Sequence, residues 1–150
     1  MMQDRFKFRL YDKAIGEMVY DVCVGFIKDY GKTDDWVCAD TSCGQITYLE
    51  NKIKDIVLMQ CTGLKDKNGK LIYEGDIVQT TFENNLKIIF SVVWDDKTAL
   101  FNGKIIKKEG INNYFMPNRD YLYYLLGDKE DEVEVIGNIY ENPELLKDGE

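Results

Sequence analysis

Hydrophobic and polar residues alternate along several stretches of the chain, which is the period of a strand with one buried face. Near the N-terminus Phe6, Phe8 and Leu10 form a first hydrophobic row, which alternates with a basic stripe. Three further hydrophobic rows follow a turn at 12–16. The stripe is Arg5, Lys7 and Arg9, and the later rows are Met18, Tyr20, Val22, Val24 and Phe26, then Leu86, Ile88, Phe90, Val92 and Trp94, then Val133, Val135, Gly137 and Ile139. The pattern predicts a mainly β protein whose first two rows share one core face.

The third row also has hydrophobic residues on its reverse face. Ile89 and Val93 alternate with the main row, which indicates a central strand that is partly covered on both sides. Trp94 is interpreted as a core residue at the end of this strand, followed by a turn at Asp95-Asp96. The last row, with Ile136 and Tyr140 opposite it, is expected to pair beside an early strand in a closed barrel.

The segment from Met59 to Val78 contains the sharpest turn signals. Asn68-Gly69 lies between two apolar runs, and this pair accepts positive φ at both central positions of a type I′ turn. Glu74-Gly75-Asp76 interrupts the pattern again before Ile77, which predicts a bend between two strands. A ligand-holding loop is the alternative. Because Gly, Asn and Asp dominate ordinary turns, a hairpin and a corner are favoured.

Helix signals occur twice in the last third of the chain. Asn142 at the N-cap, Pro143 at the first helical position and Glu144 in the first turn predict a short helix through about Lys147. The run 120–127 fits either a helical turn between Asp120 and Gly127 or a buried strand. Periodicity does not separate these alternatives at this length, and the helix is preferred.

The chain contains an ordered pattern from Gln60 to Val78, the run Val93-Trp94-Asp95-Asp96 and the stretch 135–146. These motifs resemble those of the YopX family. The opening at 7–13 and 18–20 is also similar to that of the family, with Tyr11 where a Trp is common. The signature residues are Gly63, Leu64, Asp66, Asn68, Gly69, Tyr73, Glu74, Gly75, Asp76, Trp94, Gly137, Asn138 and Tyr140.

The resemblance carries expectations about fold and biological setting. YopX proteins are found largely in bacteriophages and prophages of Gram-positive bacteria, so it implies a phage-associated role. It also implies a small SH3-type β-barrel preceded by an N-terminal β-hairpin layer, with a short C-terminal helix. We therefore expect a single YopX-like domain over 1–150, with the β layer at 1–57, the barrel at 58–142 and a helical tail at 143–150. The family brings no catalytic residues.

Charge is distributed unevenly along the chain. The net charge is −8, and most of the excess acid lies in residues 128–150. Nucleic-acid binding depends on a basic footprint, so the balance argues against a general nucleic-acid coat. Lys104, Lys107 and Lys108 near Phe101 and Tyr114 remain a candidate patch, as does the N-terminal basic stripe. A solvated strand face is the favoured interpretation of both.

Catalytic and metal-binding patterns are weak. The chain has no histidine, which removes the usual general base near neutral pH. The pairs Asp34-Asp35 and Asp95-Asp96 have no partner ligands at recognisable spacing, although a carboxylate-only hydrolase or metal-dependent nuclease remains an alternative. Free thiols are expected at Cys23, Cys38, Cys43 and Cys61, of which only Cys38 and Cys43 are near enough to invite a metal test. We expect no enzyme activity, no cofactor and no metal.

Two functions from different classes follow from these observations. The N-terminus lacks the apolar run of a signal peptide and no stretch approaches the roughly 20 apolar residues of a membrane span, so a soluble cytoplasmic protein is expected. The favoured function is a protein-interaction or oligomeric module that binds itself or a host or phage protein. The alternative is a nucleic-acid-binding accessory protein that uses the lysine patch.

Overall fold

The protein is mainly β, as predicted. The computed structural model describes residues 4–29, 32–40, 46–48, 55–81, 85–110 and 133–147, and between 23 and 48 it describes the backbone alone. The strands are β1 (Phe8–Asp12), β2 (Glu17–Asp29), β3 (Lys32–Asp40), β4 (Ile46–Tyr48), β5 (Ile56–Lys65), β6 (Leu71–Tyr73), β7 (Asp76–Thr81), β8 (Lys87–Asp95), β9 (Leu100–Glu109) and β10 (Val133–Asn138). Two compact units divide at Cys61 and Thr62, inside β5. The predicted boundary at 57–58 falls a few residues earlier in the same strand.

The first unit is an antiparallel sheet in the order β4-β3-β2-β1-β5. A 3₁₀ turn, Asp4–Phe6, precedes β1, so Phe6 does not extend the predicted first row, and its side chain is exposed. Phe8 pairs with Val22 and Leu10 with Val19. The two intervening residues of β2, Tyr20 and Asp21, therefore form a bulge, and Asp21 has a φ of 56°.

That bulge breaks the predicted second row. An extra residue on one strand shifts its alternation, so Val19 and Val22 share the face of Leu10, while Met18 lies opposite Tyr11 on the other face. Tyr20, predicted to face the core, is 46% exposed. The side chains of Val24 and Phe26 lie outside the described residues.

Arg9 is a charged residue that is buried in this sheet, although the alternation places it on the polar face of β1. β1 pairs with β2 on one edge and β5 on the other, and Arg9 lies opposite Met59. Both side chains are buried, as is Leu10 on the opposite face. The alternation therefore identifies the strand correctly but gives the wrong environment for Arg9, because both faces of this inner strand are covered.

The second unit contains a curled sheet in the order β10-β7-β8-β9, and in this unit the end of β5 pairs with β6. Its core follows the predicted third row closely. Ile88, Phe90 and Val92 are fully buried on β8, and Val78 of β7 and Val133 of β10 pack into the same cluster. β8 lies between β7 and β9, which confirms the central strand.

Bulges also alter the last two strands. Ile106 is the extra residue in β9, because Ile105 pairs with Phe90 and Lys107 with Ile89. Ile136 has the same position in β10, between residues that pair with Val78 and Ile77. β10 thus pairs with β7 from the middle of the chain, and the expectation that it lies beside an early strand is wrong.

The element at the position of the predicted C-terminal helix is shorter than predicted. Pro143–Leu146 forms one 3₁₀ turn, with Asn142 at its N-cap and Glu144 in its first turn. The side chain of Asn142 makes no capping hydrogen bond there, because its Oδ1 accepts the backbone N–H of Asn138 at 3.2 Å. The run 120–127 lies outside the described residues. No helix in the described ranges is long and apolar enough to cross a membrane.

Candidate functional site

The signature around Asp66 is built into a hairpin loop between β5 and β6. The Gly69 N–H donates to the Asp66 carbonyl at 2.8 Å, and Gly69 has a φ of 78°. Asn68 does not have a positive φ, so the predicted type I′ turn is wrong, although the hairpin is present. The geometry is a turn followed by a left-handed glycine, which suits a longer hairpin loop.

The Asp66 carboxylate explains this choice of turn. Its Oδ1 accepts the backbone N–H groups of Asn68 at 2.8 Å and Lys70 at 2.9 Å. Its Oδ2 accepts the N–H of Val135 in β10 at 3.2 Å. Burial alone raises the pKa of Asp66, but the three backbone N–H groups outweigh it and hold the pKa below its ordinary value.

Lys67 adds two contacts between the same loop and β10. Its backbone N–H donates to the Val133 carbonyl at 2.8 Å. Its ammonium pairs with the Glu134 carboxylate. Together with the Asp66 bond, these contacts attach the β5–β6 loop to β10, on which Val133 is buried. This part of the signature is therefore occupied in holding the second unit together.

The predicted corner at Glu74-Gly75-Asp76 is present between β6 and β7. Gly75 has a φ of 80° and donates its N–H to the Val92 carbonyl at 2.8 Å, while its own carbonyl accepts the Ile139 N–H. The buried Asp76 carboxylate accepts the N–H of Tyr73 at 2.8 Å. A positive φ at this position favours glycine, and the two carbonyl contacts show that the corner joins three segments of the unit.

Glu74 extends this corner to the end of β8. Its carboxylate accepts the backbone N–H of Trp94. Burial is the largest cause that raises the pKa of Glu74, and the negative charge of Asp96 raises it further against the effect of the Trp94 hydrogen bond. Glu74 is therefore half-buried beside Trp94, with a second carboxylate close enough to repel it.

Asp95 organises the turn between β8 and β9. Its carboxylate accepts the Lys97 N–H at 2.9 Å, the Thr98 hydroxyl at 3.0 Å and the Asn102 side-chain N–H at 3.0 Å. The first two contacts, with that of the Thr98 N–H, lower the pKa of Asp95. The pair Asp95-Asp96 thus has one carboxylate that holds a turn, which is a structural role.

Large hydrophobic side chains are exposed at this hairpin end. Trp94 is 42% exposed and Leu100 is 50% exposed. The interpretation of Trp94 as a core residue is therefore wrong, because the β8 core row ends at Val92. The Trp94 ring meets Phe101 edge to face, with centroids 5.1 Å apart. We define the hairpin end as Trp94, Asp96 and Phe101, with Glu74 beside it. Leu100 lies opposite Asp95 in the register, on the other face of the hairpin from Trp94 and Phe101.

The three candidate lysines do not share one face of β9. Lys104 and Lys107 lie opposite Ser91 and Ile89, on the face turned away from the Phe90 core. Lys108 lies opposite Ile88, on the core side, because the bulge at Ile106 changes the alternation. Lys107 also pairs with Glu109 at 3.0 Å. The lysines predicted as one patch are therefore divided.

The N-terminal basic stripe is also divided. Arg5 lies over the ring of Phe6, 4.9 Å from its centroid. Lys7 pairs with Asp4 at 2.9 Å, and this hydrogen bond is the main cause that raises the pKa of Lys7. Arg9 is buried. These three side chains have different environments and do not form an exposed row.

The C-terminal signature forms a compact hydrogen-bonded turn. The Asn138 side-chain oxygen accepts the N–H groups of Tyr140 at 3.1 Å and Glu141 at 2.9 Å, and its amide donates to the Glu141 carboxylate. A Cβ added at Gly137 would lie 2.6 Å from Asn142 Oδ1. Glycine at 137 therefore leaves room for the Asn142 side chain.

Metal-binding geometry is not found in the part of the chain that the structure describes. No group of three or more His, Cys, Asp or Glu residues converges there. Cys61 is a buried free thiol. Cys23 and Cys38 lie opposite each other in the backbone register of β2 and β3; their side chains, those of the Asp34-Asp35 pair and Cys43 are outside the described residues.

Comparisons with known proteins give a family and a similar solved structure. The family model described as YopX protein matches residues 7–147. The chain belongs to the YopX family. Among solved structures, it is similar to protein EF1440 from Enterococcus faecalis, with 27% identity, a TM-score of 0.51, and coverage of 94% of this chain and 97% of that one. No curated protein shows detectable similarity to the chain.

Most of the YopX signature that the sequence reveals is accounted for by contacts within the second unit. Asp66, Asp76 and Asn138 accept backbone N–H groups, and Gly75 forms the corner. Leu100 was not identified from the sequence. Its position directly after the Asp95 turn could have drawn attention to it, because a large aliphatic residue beside a tight turn has few neighbours to cover it.

Proposed function

We propose that this YopX chain is a non-catalytic, cytoplasmic accessory protein of a phage or prophage that acts as a protein-interaction or oligomeric module. The observation that carries the proposal is the hairpin end, where the large aromatic side chain of Trp94 is exposed. The hairpin end is the binding surface. The phage setting rests on the resemblance to the family described above.

The energetics of the hairpin end support binding to a protein. Trp94 belongs to a residue type that dominates the binding energy of protein interfaces. Its edge-to-face contact with Phe101 restricts the ring before a partner arrives, which lowers the entropy lost on binding. Asp95 fixes the adjacent turn through three side-chain contacts, so the surface is held by a rigid element.

The contacts of the signature carboxylates support a non-catalytic role. Asp66, Asp76 and Asp95 each accept backbone N–H groups. The pKa values of Asp66 and Asp95 are lowered, and a carboxylate that stays ionised while it accepts backbone hydrogen bonds is a poor general acid. These residues are best explained as structural elements of a binding module.

We also infer that the second unit is an SH3-type barrel. The hairpin before β6, the corner at Gly75 and the attachment of β10 to the Asp66 loop support this assignment. Small barrels close by such corners and by bonds between their first and last elements. A crystal structure tests it: strand order and closure of an SH3 barrel are expected, and an open sheet would overturn the assignment.

The nucleic-acid alternative has weaker support. Lys104 and Lys107 are on one face of β9 and Lys108 is on the other, and Lys107 already has a carboxylate partner. A phosphate track is best served by cations on one surface. The protein-interaction proposal is therefore favoured.

A capture experiment with a mass measurement tests the proposed function. The tagged chain is incubated with lysate of the bacterium that encodes it, with and without nuclease, and the purified chain is measured by light scattering. We expect a mass above the monomer or recovery of a specific protein that survives nuclease treatment. A monomer that recovers no protein, or recovery that nuclease abolishes, would overturn the proposal.

A further inference from the structure

The hairpin end combines an exposed aromatic ring with nearby carboxylates. Glu74 accepts the backbone N–H of Trp94, so its carboxylate lies directly beside that residue. Asp96 follows two positions later in the chain and is exposed. Its charge acts on Glu74 and helps to raise the pKa of Glu74. Two negative groups that repel each other therefore lie near Trp94.

The other charged groups of the turn have separate roles. Asp95 uses its carboxylate on Lys97, Thr98 and Asn102. Lys97 is exposed and lowers the pKa of Asp95 as a minor cause after the hydrogen bonds. Asp96 makes no hydrogen bond or ion pair with the described residues. The hairpin end and the adjoining Asp95 turn together have three carboxylates (Glu74, Asp95 and Asp96), one ammonium group (Lys97) and a net negative charge.

We propose that the hairpin end binds a basic segment of a partner protein, with an arginine or lysine side chain beside the exposed Trp94 ring and close to Glu74 and Asp96. This proposal rests on the proposed function and names the chemistry of its partner.

Charge complementarity favours this occupant over others. A guanidinium group stacks on a tryptophan face and forms paired hydrogen bonds with carboxylates. A cation close to both Glu74 and Asp96 also reduces the repulsion between them. Nucleic acid would bring phosphates toward carboxylates. A second copy of this chain, docked through the same end, would bring like charges together.

Nuclear magnetic resonance on the ¹⁵N-labelled full chain provides the test. The probe is the acetylated, amidated peptide Gly-Arg-Leu-Arg-Gly, and the matched control peptide is Gly-Glu-Leu-Glu-Gly. Two tryptophans, Trp36 and Trp94, give two indole N–H signals, and the second can be assigned by substitution. We expect the arginine peptide to shift the Trp94 signal in a saturable manner while the Trp36 signal stays constant. Binding should weaken from about 50 to about 500 mM salt.

Charge variants separate the proposed contact from a general attraction to an acidic protein. Asp96→Asn should weaken binding about three-fold, since exposed ion pairs contribute little individually. The control Asp55→Asn removes the same charge from an exposed position in the first unit and should leave the affinity unchanged. Trp94→Leu should weaken binding by at least about ten-fold while the backbone spectrum stays native.

The outcomes distinguish this inference from the function on which it rests. Equal effects of Asp96→Asn and Asp55→Asn, equal binding of both peptides, or no shift of the Trp94 signal would overturn the basic-segment proposal. If a captured partner still depends on Trp94 in that case, the interaction module stands with a different partner chemistry. If capture also fails, both proposals fall.

Discussion

Replacement of Asp66 by alanine tests the principal contact assigned to the family signature. The substitution removes the acceptor of three backbone N–H groups, those of Asn68, Lys70 and Val135. The two loop N–H groups can bond to water afterwards, whereas the Val135 N–H lies in β10. Hydrogen bonds to a charged group contribute about 1.5–3 kcal/mol each, and a buried donor left unsatisfied costs about 1–3 kcal/mol.

We therefore expect Asp66→Ala to lower the free energy of unfolding by about 3 kcal/mol in total. For a chain of this length the loss corresponds to a decrease in Tm of about 6–12 °C. Asp66→Asn should lie between wild type and alanine, because its amide keeps one oxygen acceptor but presents an NH₂ group to the third donor. Urea unfolding followed by circular dichroism at pH 7 measures all three proteins.

The pH dependence gives an independent check on the same carboxylate. The pKa of Asp66 is lowered in the folded state, so its contribution to stability is present above the unfolded-state pKa, about 3.9. The contribution is lost as pH falls through the lower folded-state pKa. The stability difference between wild type and Asp66→Ala should be constant from about pH 6 to 8 and should narrow below about pH 4.

A control and a refuting result complete this test. Asp96→Ala removes an exposed carboxylate that has no hydrogen-bond role in the described residues, and it should change the stability by less than about 0.5 kcal/mol. The reasoning is refuted if Asp66→Ala also stays within about 0.5 kcal/mol of wild type, or if its stability difference is independent of pH down to about pH 3.

Two glycine substitutions and one double-mutant cycle extend the account. Gly110→Ala should destabilise by at least about 2 kcal/mol in urea unfolding, because Gly110 has a φ of 108° and an added Cβ would lie 2.8 Å from the Asn85 carbonyl oxygen. Gly69→Ala, with positive φ but open space around the Cβ, should cost only about 1 kcal/mol; equal losses would contradict the steric argument. Gly137→Ala should cost about 1–3 kcal/mol by displacing the Asn142 side chain. Most of this loss should vanish when Asn142 is already alanine, and additive effects would show that the two residues do not interact.

A residue's environment could be predicted from the sequence where it depends on its own strand alone. It could not be predicted where it also depends on the partner strand. The β8 row from Ile88 to Val92 could be predicted because strict alternation continues through it and its core face is fully buried. The bulges at Asp21, Ile106 and Ile136 could not be predicted from the sequence, because a bulge depends on the register of the partner strand. They account for the exposure of Tyr20 and for the separation of Lys108 from Lys104.

The environments of some single residues could not be predicted from the sequence, each for a different physical reason. Arg9 is polar by type, yet it lies on an inner strand with Met59 opposite and both faces covered. Trp94 is of a residue type that is common in protein cores, but it lies beyond Val92, the last buried position of the β8 core row. The Asp66 carboxylate determines the turn type at Asn68-Gly69, because it accepts two backbone N–H groups of the loop. The statistical preference of Asn-Gly pairs for a type I′ turn takes no account of such contacts.

We propose the exposed Trp94 ring as the surface through which this YopX protein binds a protein. The decisive measurement is the amount of partner, or of self-associated chain, that Trp94→Ser retains relative to wild type after nuclease treatment. Ile15→Ser is the control, because Ile15 is also exposed, at 59%, but lies in the first unit. We predict that Trp94→Ser loses at least about nine-tenths of the bound protein while the control retains it. Equal retention by wild type and both variants would refute the proposal.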